Sequence, residues 1–320
     1  MVDAAENEQF SSLIDALGSK SKEELEQQGL RPLTTGFANL VWACENHGQP
    51  IVLKRYSDIV FLRMEPEALG AVDRLAWQVE IGPAVMHASC SGLVTELLPG
   101  RILEEQDMHS ENWPLLKSAA VAVATLHQQR APKECEGSPM LWRTIDRMME
   151  GAAKSPELLP TGVPSIDVML AEIADAKARL DELLPVVVLG HGDLKPSNMM
   201  LCSEEHHTVK LIDFELSGPN YRGYDLMKAF RSGKHNSKAS MRYFLRSYAG
   251  KVEGGTADDA MVDALEQESK LFEPLTWLEA AVFFVSALPM MTNIDVAAWN
   301  ELAVHRWKKF EETKHLLRSP

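Results

Sequence analysis

HGDLKPSN, residues 191–198, and LIDFELSGPNYRGYD, residues 211–225, are the two stretches on which the reading of this chain turns. Each reaches its polar residues from a short apolar run, Pro185–Leu189 before the first and Val209–Ile212 into the second, so both loops are predicted at strand ends. A carboxylate at Asp193 is able to take a proton from an attacking hydroxyl, and Asn198, five residues on, offers an amide oxygen from the same loop. Asp213 adds a hard anionic oxygen, the donor type that Mg²⁺ prefers. Phosphoryl transfer asks the protein for an oriented hydroxyl, metal ions on the phosphates and neutralised charge, with little covalent chemistry. A plainer reading makes the Asp and Asn mere caps of a polar hairpin. It suits either segment alone, but not both at this separation between strands.

Working outward, Met199–Leu201 and Val209–Ile212 are predicted to form a hairpin turned by the polar Ser203–Thr208. Upstream, Leu33–Tyr56 reads as two antiparallel strands around a turn at Asn46-His47-Gly48. Glu65–Val79 has helical spacing, with Leu69, Val72, Leu75 and Ala76 on one face, and Gly82-Pro83 closes it. Gly92–Leu98 is a further strand, and the lobe boundary is placed there: residues 1–98 as an N-terminal nucleotide-binding lobe, 99–320 as a C-terminal catalytic and substrate-binding lobe. Amphipathic helices are expected from about Glu8 to Leu30, over Trp113–Gln129 and over Ile166–Leu184. Pro132–Pro164 reads as loop with a short helix, and from Tyr224 the pattern is helical almost to the end, with a final helix over Ala297–Leu317. The class is α+β, a small sheet-bearing lobe before a larger, mainly helical one.

The 320 residues suffice for two lobes, and 45% hydrophobic with 24% charged residues is ordinary for a globular chain. A net charge of −14 disfavours a nucleic-acid partner, which would need clustered Lys and Arg. Cys44, Cys90, Cys135 and Cys202 lack metal-site spacing and suit reduced thiols, so a cytoplasmic protein without zinc is expected. The opening MVDAAENEQF has neither the basic start nor the apolar core of an export signal. Trp277–Met291 is apolar but interrupted by Glu279 and Pro289, and is expected to be a core helix rather than a membrane span.

The pattern H-x-D-x-x-x-x-N followed by I-D-F resembles the signature of the aminoglycoside phosphotransferase and choline kinase group. The continuation from Leu211 to Asp225 resembles choline and ethanolamine kinases more particularly. The resemblance covers roughly Leu33–Leu288. It implies a bilobal, protein-kinase-like fold, ATP and Mg²⁺ as cofactors, Asp193 as base, and Asn198 with Asp213 as metal ligands. Asp225 is then a brace for the catalytic loop, and His191 a loop-packing residue rather than a rival base. Gly36 and Asn39, in GFAN, resemble the phosphate-covering turn, where small residues let backbone amides approach the nucleotide. Lys54 takes the place of the strand cation for the α- and β-phosphates; Arg55 beside it is a rival that strand alternation sends to the opposite face. Glu67 on the next helix is the expected partner of Lys54, with Glu65 competing. Glu96 and Leu98 bracket the hinge that would meet the adenine edge.

The acceptor is less legible. Choline kinases cage a quaternary ammonium in aromatic faces and carboxylates, whereas the late helix here reads TWLEAAVFFVSAL. Lys195 stands where those kinases carry a glutamine, and LMKAF follows Asp225 in place of a polar-aromatic continuation. Lys195 is either a neutraliser of the transferring phosphate or an exposed loop lysine. Glu215, Tyr221, Trp277 and Phe284 are the candidate contacts to a cationic amino alcohol, choline or ethanolamine, although each aromatic is equally a core residue by type. The alternatives are another hydroxylated acceptor, such as an aminoglycoside or a sugar, and a catalytically silent nucleotide-binding scaffold.

Overall fold

The computed structural model describes residues 13, 29–33, 39–231, 238–291 and 294–318. The expected helices between Glu8 and Leu30, and Gly36 with its turn, fall outside these residues apart from Leu13, Gly29 and Leu30.

The strands are β1 (Arg31–Pro32), β2 (Asn39–Asn46), β3 (Gln49–Tyr56), β4 (Val85–Ser89), β5 (Gly92–Glu96), β6 (Arg101–Ile102), β7 (Val187–Gly190), β8 (Met199–Ser203), β9 (Thr208–Leu211) and β10 (Gly218–Tyr221). The helices are α1 (Asp58–Phe61), α2 (Ala71–Gln78), α3 (Glu105–Met108), α4 (Trp113–His127), α5 (Met140–Ala152), α6 (Ile166–Leu183), α7 (Arg222–Lys228), α8 (Lys238–Glu253), α9 (Asp259–Leu271), α10 (Glu273–Ala287) and α11 (Val296–Thr313).

The first five strands make one antiparallel sheet in the order β1-β2-β3-β5-β4. His47 and Gly48 both take positive φ at the β2–β3 turn, as a tight two-residue hairpin requires. Period-two alternation along β3 divides its side chains between two faces. Ile51 and Leu53 join Leu13, Cys44 and Val94 in a small cluster on one face, while Tyr56 faces the main core on the other. Lys54 shares the Tyr56 face and is buried.

The helix expected over Glu65–Val79 is shorter, Ala71–Gln78, preceded by a separate turn at Pro66–Ala68. Gly70 divides them: its φ is +77°, and a Cβ there would lie 2.5 Å from the Ala88 Cβ. The sequence did not suggest β4, which hugs β5 at the sheet edge.

The rest is mainly helical, with two small sheets carrying the loops of interest. β7 pairs with β10, and β6-β8-β9 form a three-stranded sheet. The strand expected at Pro185–Leu189 is found at Val187–Gly190; its outer end is exposed because β10 is its one partner. The Pro132–Pro164 stretch holds the 13-residue α5, whose Met140, Leu141, Ile145, Met148 and Met149 recur on one buried face. One segment, Asp259–Met290, is long and apolar enough to cross a membrane by composition. It comprises α9, α10 and the turn after them, its most apolar 18-residue window is 72% buried, and α10 packs against α5, α7 and α11 as a core helix.

Candidate functional site

The catalytic loop is held from beneath by one carboxylate. Asp225, fully buried near the start of α7, accepts the backbone N–H of His191 (2.5 Å) and of Gly192 (3.0 Å). His127 Nε2 lies 3.1 Å from the same carboxylate, with its Nδ1 2.9 Å from the Tyr248 hydroxyl. Burial alone would raise the Asp225 pKa; the His127 contact and the His191 N–H outweigh it, so the carboxylate stays ionised. Gly192 has φ +79°, and a Cβ on it would fall 2.1 Å from the Leu216 carbonyl oxygen, so the loop can turn here only with glycine. His191 Nε2 reaches the Ile212 carbonyl (3.0 Å), its Nδ1 takes the Asp193 N–H (3.4 Å), and its ring stacks on Phe214. Burial lowers its pKa. With both nitrogens occupied inside the loop, His191 is packed as the neutral form and turned away from base chemistry.

Asp193 emerges from this frame between two ammonium groups, Lys228 Nζ at 3.0 Å from Oδ1 and Lys195 Nζ at 2.8 Å from Oδ2. Burial opposes its charge, but Lys228, Lys195 and Arg63 hold its pKa well below the usual carboxylate range. It is therefore an ionised proton acceptor at neutral pH. The Asn198 amide donates from Nδ2 to the Asp193 carbonyl (2.9 Å) and leans on its carboxylate (3.3 Å). Because the amide is planar, its Oδ1 is directed to the other side. The Ile212 N–H donates to the Asn198 carbonyl (3.0 Å), which sets Asn198 beside the residue preceding Asp213. Asp213 itself has a left-handed backbone, φ +70°, an uncommon conformation for a non-glycine residue, which turns the chain at the end of β9.

Lys54 reaches across from β3 and pairs with Asp213 and with Glu215 (2.6 Å). Burial disfavours its charge, yet Asp213 and Glu215 more than compensate and raise its pKa well above the ordinary lysine value. Asp213 is correspondingly lowered, against burial, by Lys54. Glu215 is raised by burial and by repulsion from Asp213. Asn39 Nδ2 donates to Glu215 Oε2 (2.5 Å). The expected partnership of Lys54 with Glu67 is corrected: Glu67 is exposed on the Pro66–Ala68 turn, because Gly70 starts α2 beyond it. Glu65, the competitor, pairs instead with Arg143 and Arg147 of α5, each at 2.8 Å. The helix carboxylate whose field Lys54 feels is Asp73 of α2, buried and raised to about 6 by that burial. At the strand end, Glu96 Oε1 accepts the Ala84 N–H (2.8 Å), the Leu97 N–H donates to the Pro50 carbonyl (3.0 Å), and Leu98 is buried.

The four candidate acceptor contacts are engaged in separate neighbourhoods, which corrects the expected cage. Glu215 is taken by Lys54 and Asn39. Tyr221 is buried on β10, its hydroxyl accepting the Trp142 indole N–H (3.0 Å) and its ring against Phe272. Phe284 packs on Trp299, with centroids 4.7 Å apart. Trp277 has two guanidinium groups over its ring, Arg231 at 4.6 Å and Arg306 at 5.4 Å, so it already meets fixed cations.

Next to Asp193 stand residues that the sequence did not single out. The buried Lys228 ammonium also contacts the Gly192 carbonyl (3.1 Å), the Tyr224 hydroxyl (3.2 Å) and Glu279 (3.3 Å). Glu279, buried on α10, is closed off by Arg63 (2.9 Å), whose guanidinium rests on Phe283. Two signals pointed this way: Lys228 is a lysine three residues after the brace Asp225 within an apolar run, and Glu279 is the one charge in TWLEAAVFFVSAL.

Among the described residues no group of three or more His, Cys, Asp or Glu is placed to hold a metal. The donors still suit Mg²⁺: Asn198 Oδ1 and the Asp213 carboxylate supply two hard oxygens, and this ion ordinarily takes its remaining ligands from phosphates and water. The local charge agrees, since the carboxylates of Asp73, Asp213 and Glu215 gather around Lys54.

The sequence pattern of the choline/ethanolamine kinase family matches residues 30–310. A human choline/ethanolamine kinase is 24% identical over 301 residues, covering 83% of this chain and 74% of that protein. Among solved structures, an ethanolamine kinase from Plasmodium vivax superposes with a TM-score of 0.76 at 16% identity, covering 96% of this chain and 89% of the other. An ADP-bound aminoglycoside phosphotransferase superposes with a TM-score of 0.58 at 15% identity, covering 97% and 98%. Both superpositions establish the bilobal, protein-kinase-like fold.

Proposed function

The chain belongs to the choline/ethanolamine kinase family, and from that premise we propose that it transfers the γ-phosphoryl group of ATP to the hydroxyl of a small amino alcohol of the choline or ethanolamine type. The observation that carries the reading is the meeting of Asp193, Asn198, Asp213 and Lys54 at one place, from two loops and a strand. Asp193 accepts the acceptor's proton as its oxygen bonds to the γ-phosphorus, the bond from that phosphorus to the β-bridging oxygen breaks, and ADP leaves with the electron pair. Lys54 steadies the α- and β-phosphates. Asn198 and Asp213 would hold Mg²⁺, which supplies neutralisation of the phosphate charge. Glu215 fixes Lys54 from the loop side and is itself held by the Asn39 amide, and the adenine is assigned to the hinge at Glu96–Leu98.

The division into residues 1–98 and 99–320, and a cytoplasmic setting, belong to the same proposal; the four cysteines stand as thiols and not as disulfides, which supports the latter. The experiment is acceptor-dependent conversion of ATP to ADP by purified protein with Mg²⁺. Turnover with choline or ethanolamine supports the reading. Turnover only with aminoglycosides or sugars would move the acceptor and keep the chemistry. ATP binding without any transfer would leave a silent scaffold.

A further inference from the structure

Helix α7 supports the catalytic loop twice. Asp225 takes the backbone N–H groups of His191 and Gly192. Lys228, three residues on and so on the same side of the helix, donates to the Gly192 carbonyl (3.1 Å) and pairs with Oδ1 of Asp193 (3.0 Å). The ammonium is also tied back, to the Tyr224 hydroxyl (3.2 Å) one turn earlier on α7 and to Glu279 Oε2 (3.3 Å) on α10. Tyr224 donates its own hydroxyl proton to the same Glu279 oxygen (3.3 Å). Arg63 takes the other Glu279 oxygen (2.9 Å), with its guanidinium against Phe283 one turn along α10. An ammonium has three N–H groups. Four oxygens within 3.3 Å share those of Lys228, which leaves none for a ligand.

The two oxygens of Asp193 are therefore unlike. Oδ1 lies on the closed side, against a lysine whose side chain is 3% exposed. Oδ2 lies on the open side, against Lys195, whose side chain is 45% exposed, and beside the Asn198 amide (3.3 Å). A surface ion pair is weak enough for Lys195 to swing aside for an incoming group. Lys228 has no such freedom, since moving it would leave buried carboxylates without their partner.

Resting on the phosphotransfer reading, we propose that Lys228 is a positioning residue for the transfer: tied back by Glu279, Tyr224 and the Gly192 carbonyl, it fixes Asp193 through Oδ1 and presents Oδ2 as the oxygen that takes the acceptor's proton. Lys195 gives up Oδ2 to the acceptor hydroxyl. The hydroxyl oxygen then bonds to the γ-phosphorus as its proton passes to Oδ2, the bond from that phosphorus to the β-bridging oxygen breaks, and the electron pair leaves on ADP. Lys228 and Glu279 touch neither acceptor nor nucleotide and act through Asp193. A carboxylate free to rotate would often present neither oxygen in line, and a misplacement of about 1 Å at such a centre costs about 10²-fold in rate.

The test is a double-variant cycle on kcat, run with whichever of ethanolamine and choline the wild-type protein turns over faster. Lys228→Gln alone should lower kcat by about 10–10²-fold, with KM for the acceptor and for MgATP within about threefold of wild type. Added to Asp193→Asn, it should lower kcat by less than about twofold, because the carboxylate through which it acts is gone, although its cost in Tm is present in both backgrounds. Unchanged kcat, a loss as large in the Asp193→Asn background as in wild type, or a loss that falls on the acceptor KM overturns the role and leaves the kinase reading intact. Where Lys228→Gln does not fold, Glu279→Gln carries the same cycle, since it loosens the anchor and leaves Lys228 and Asp193 in place. It should lower kcat by about fivefold, again only where Asp193 is retained, and an unchanged kcat or an additive loss overturns the role. If the wild-type protein transfers phosphate to no acceptor, the kinase reading fails and the role of Lys228 falls with it.

Discussion

The two ends of the cleft carry opposite charge. At the nucleotide end a single ammonium, Lys54, faces the carboxylates of Asp73, Asp213 and Glu215. At the Asp193 end Arg63, Lys195 and Lys228 surround Asp193 and Glu279. An excess of carboxylates beside a phosphate site calls for a divalent cation, and cations beside the proton acceptor keep it ionised. The contrast also separates what a family pattern records from what an individual chain does with it. The nucleotide end is built from the motif residues, whereas the acceptor end is built mostly from residues outside them.

The contrast can be broken most severely at Asp193. Asp193→Asn keeps the shape and removes the proton acceptor, so kcat should fall by about 10²–10⁴-fold, with MgATP affinity and thermal stability close to wild type; retained kcat would refute the assignment. Next in size is Lys54→Met, expected to lower kcat/KM for MgATP by about 10²-fold while leaving the acceptor KM within about threefold. A matching loss in acceptor KM would show that the two ends are not separate. Lys228→Met removes a buried cation shared by Asp193 and Glu279, and should cost about 3 kcal/mol of stability, read as a Tm lowered by several degrees. Glu279 keeps Arg63 and Asp193 keeps Lys195 in that variant, so Glu279→Leu added to it should deepen the loss by stranding Arg63, and a double variant as stable as wild type would contradict the pairing.

The smallest effect lies at Asp73. Its folded pKa of about 6 is above the ordinary carboxylate value, because burial outweighs the attraction of Lys54. The folded state thus holds the proton more tightly, and this residue's destabilising contribution is absent below pH 4 and complete above about pH 6. Asp73→Asn should therefore raise stability by about 1–3 kcal/mol at pH 7.5, with the gain shrinking toward pH 4.5, in thermal melts of the nucleotide-free protein. A gain independent of pH would assign the effect to something other than titration.

Much of the nucleotide end was legible because its chemistry sits in short, ordered spacings. Asp193, Asn198 and Asp213 lie in two loops whose flanking strands the apolar runs announced, and alternation along β3 set Lys54 and Arg55 on opposite faces, with the resemblance pointing to Lys54. The partner of Lys54 was misread because helical spacing ran unbroken through Gly70. Positive φ at that glycine, where Ala88 leaves no room for a Cβ, ends the turn carrying Glu67 and begins the helix carrying Asp73. The acceptor end was largely illegible for a different reason. Arg63 and Lys228 come from a loop and a helix far apart in sequence, and each looks in isolation like a surface cation. Trp277 was singled out as an aromatic for a cation; that guanidinium groups already lie over its ring depends on how α7, α10 and α11 pack.

The central claim is that the two motif loops and Lys54 form one phosphotransfer centre. It is tested most directly by a crystal structure with Mg²⁺ and a non-hydrolysable ATP analogue. The expected result has metal on Asn198 Oδ1 and the Asp213 carboxylate, phosphates against Lys54, and the γ-phosphorus facing Asp193. A nucleotide seated away from Lys54, or a metal bound without Asp213, would contradict it.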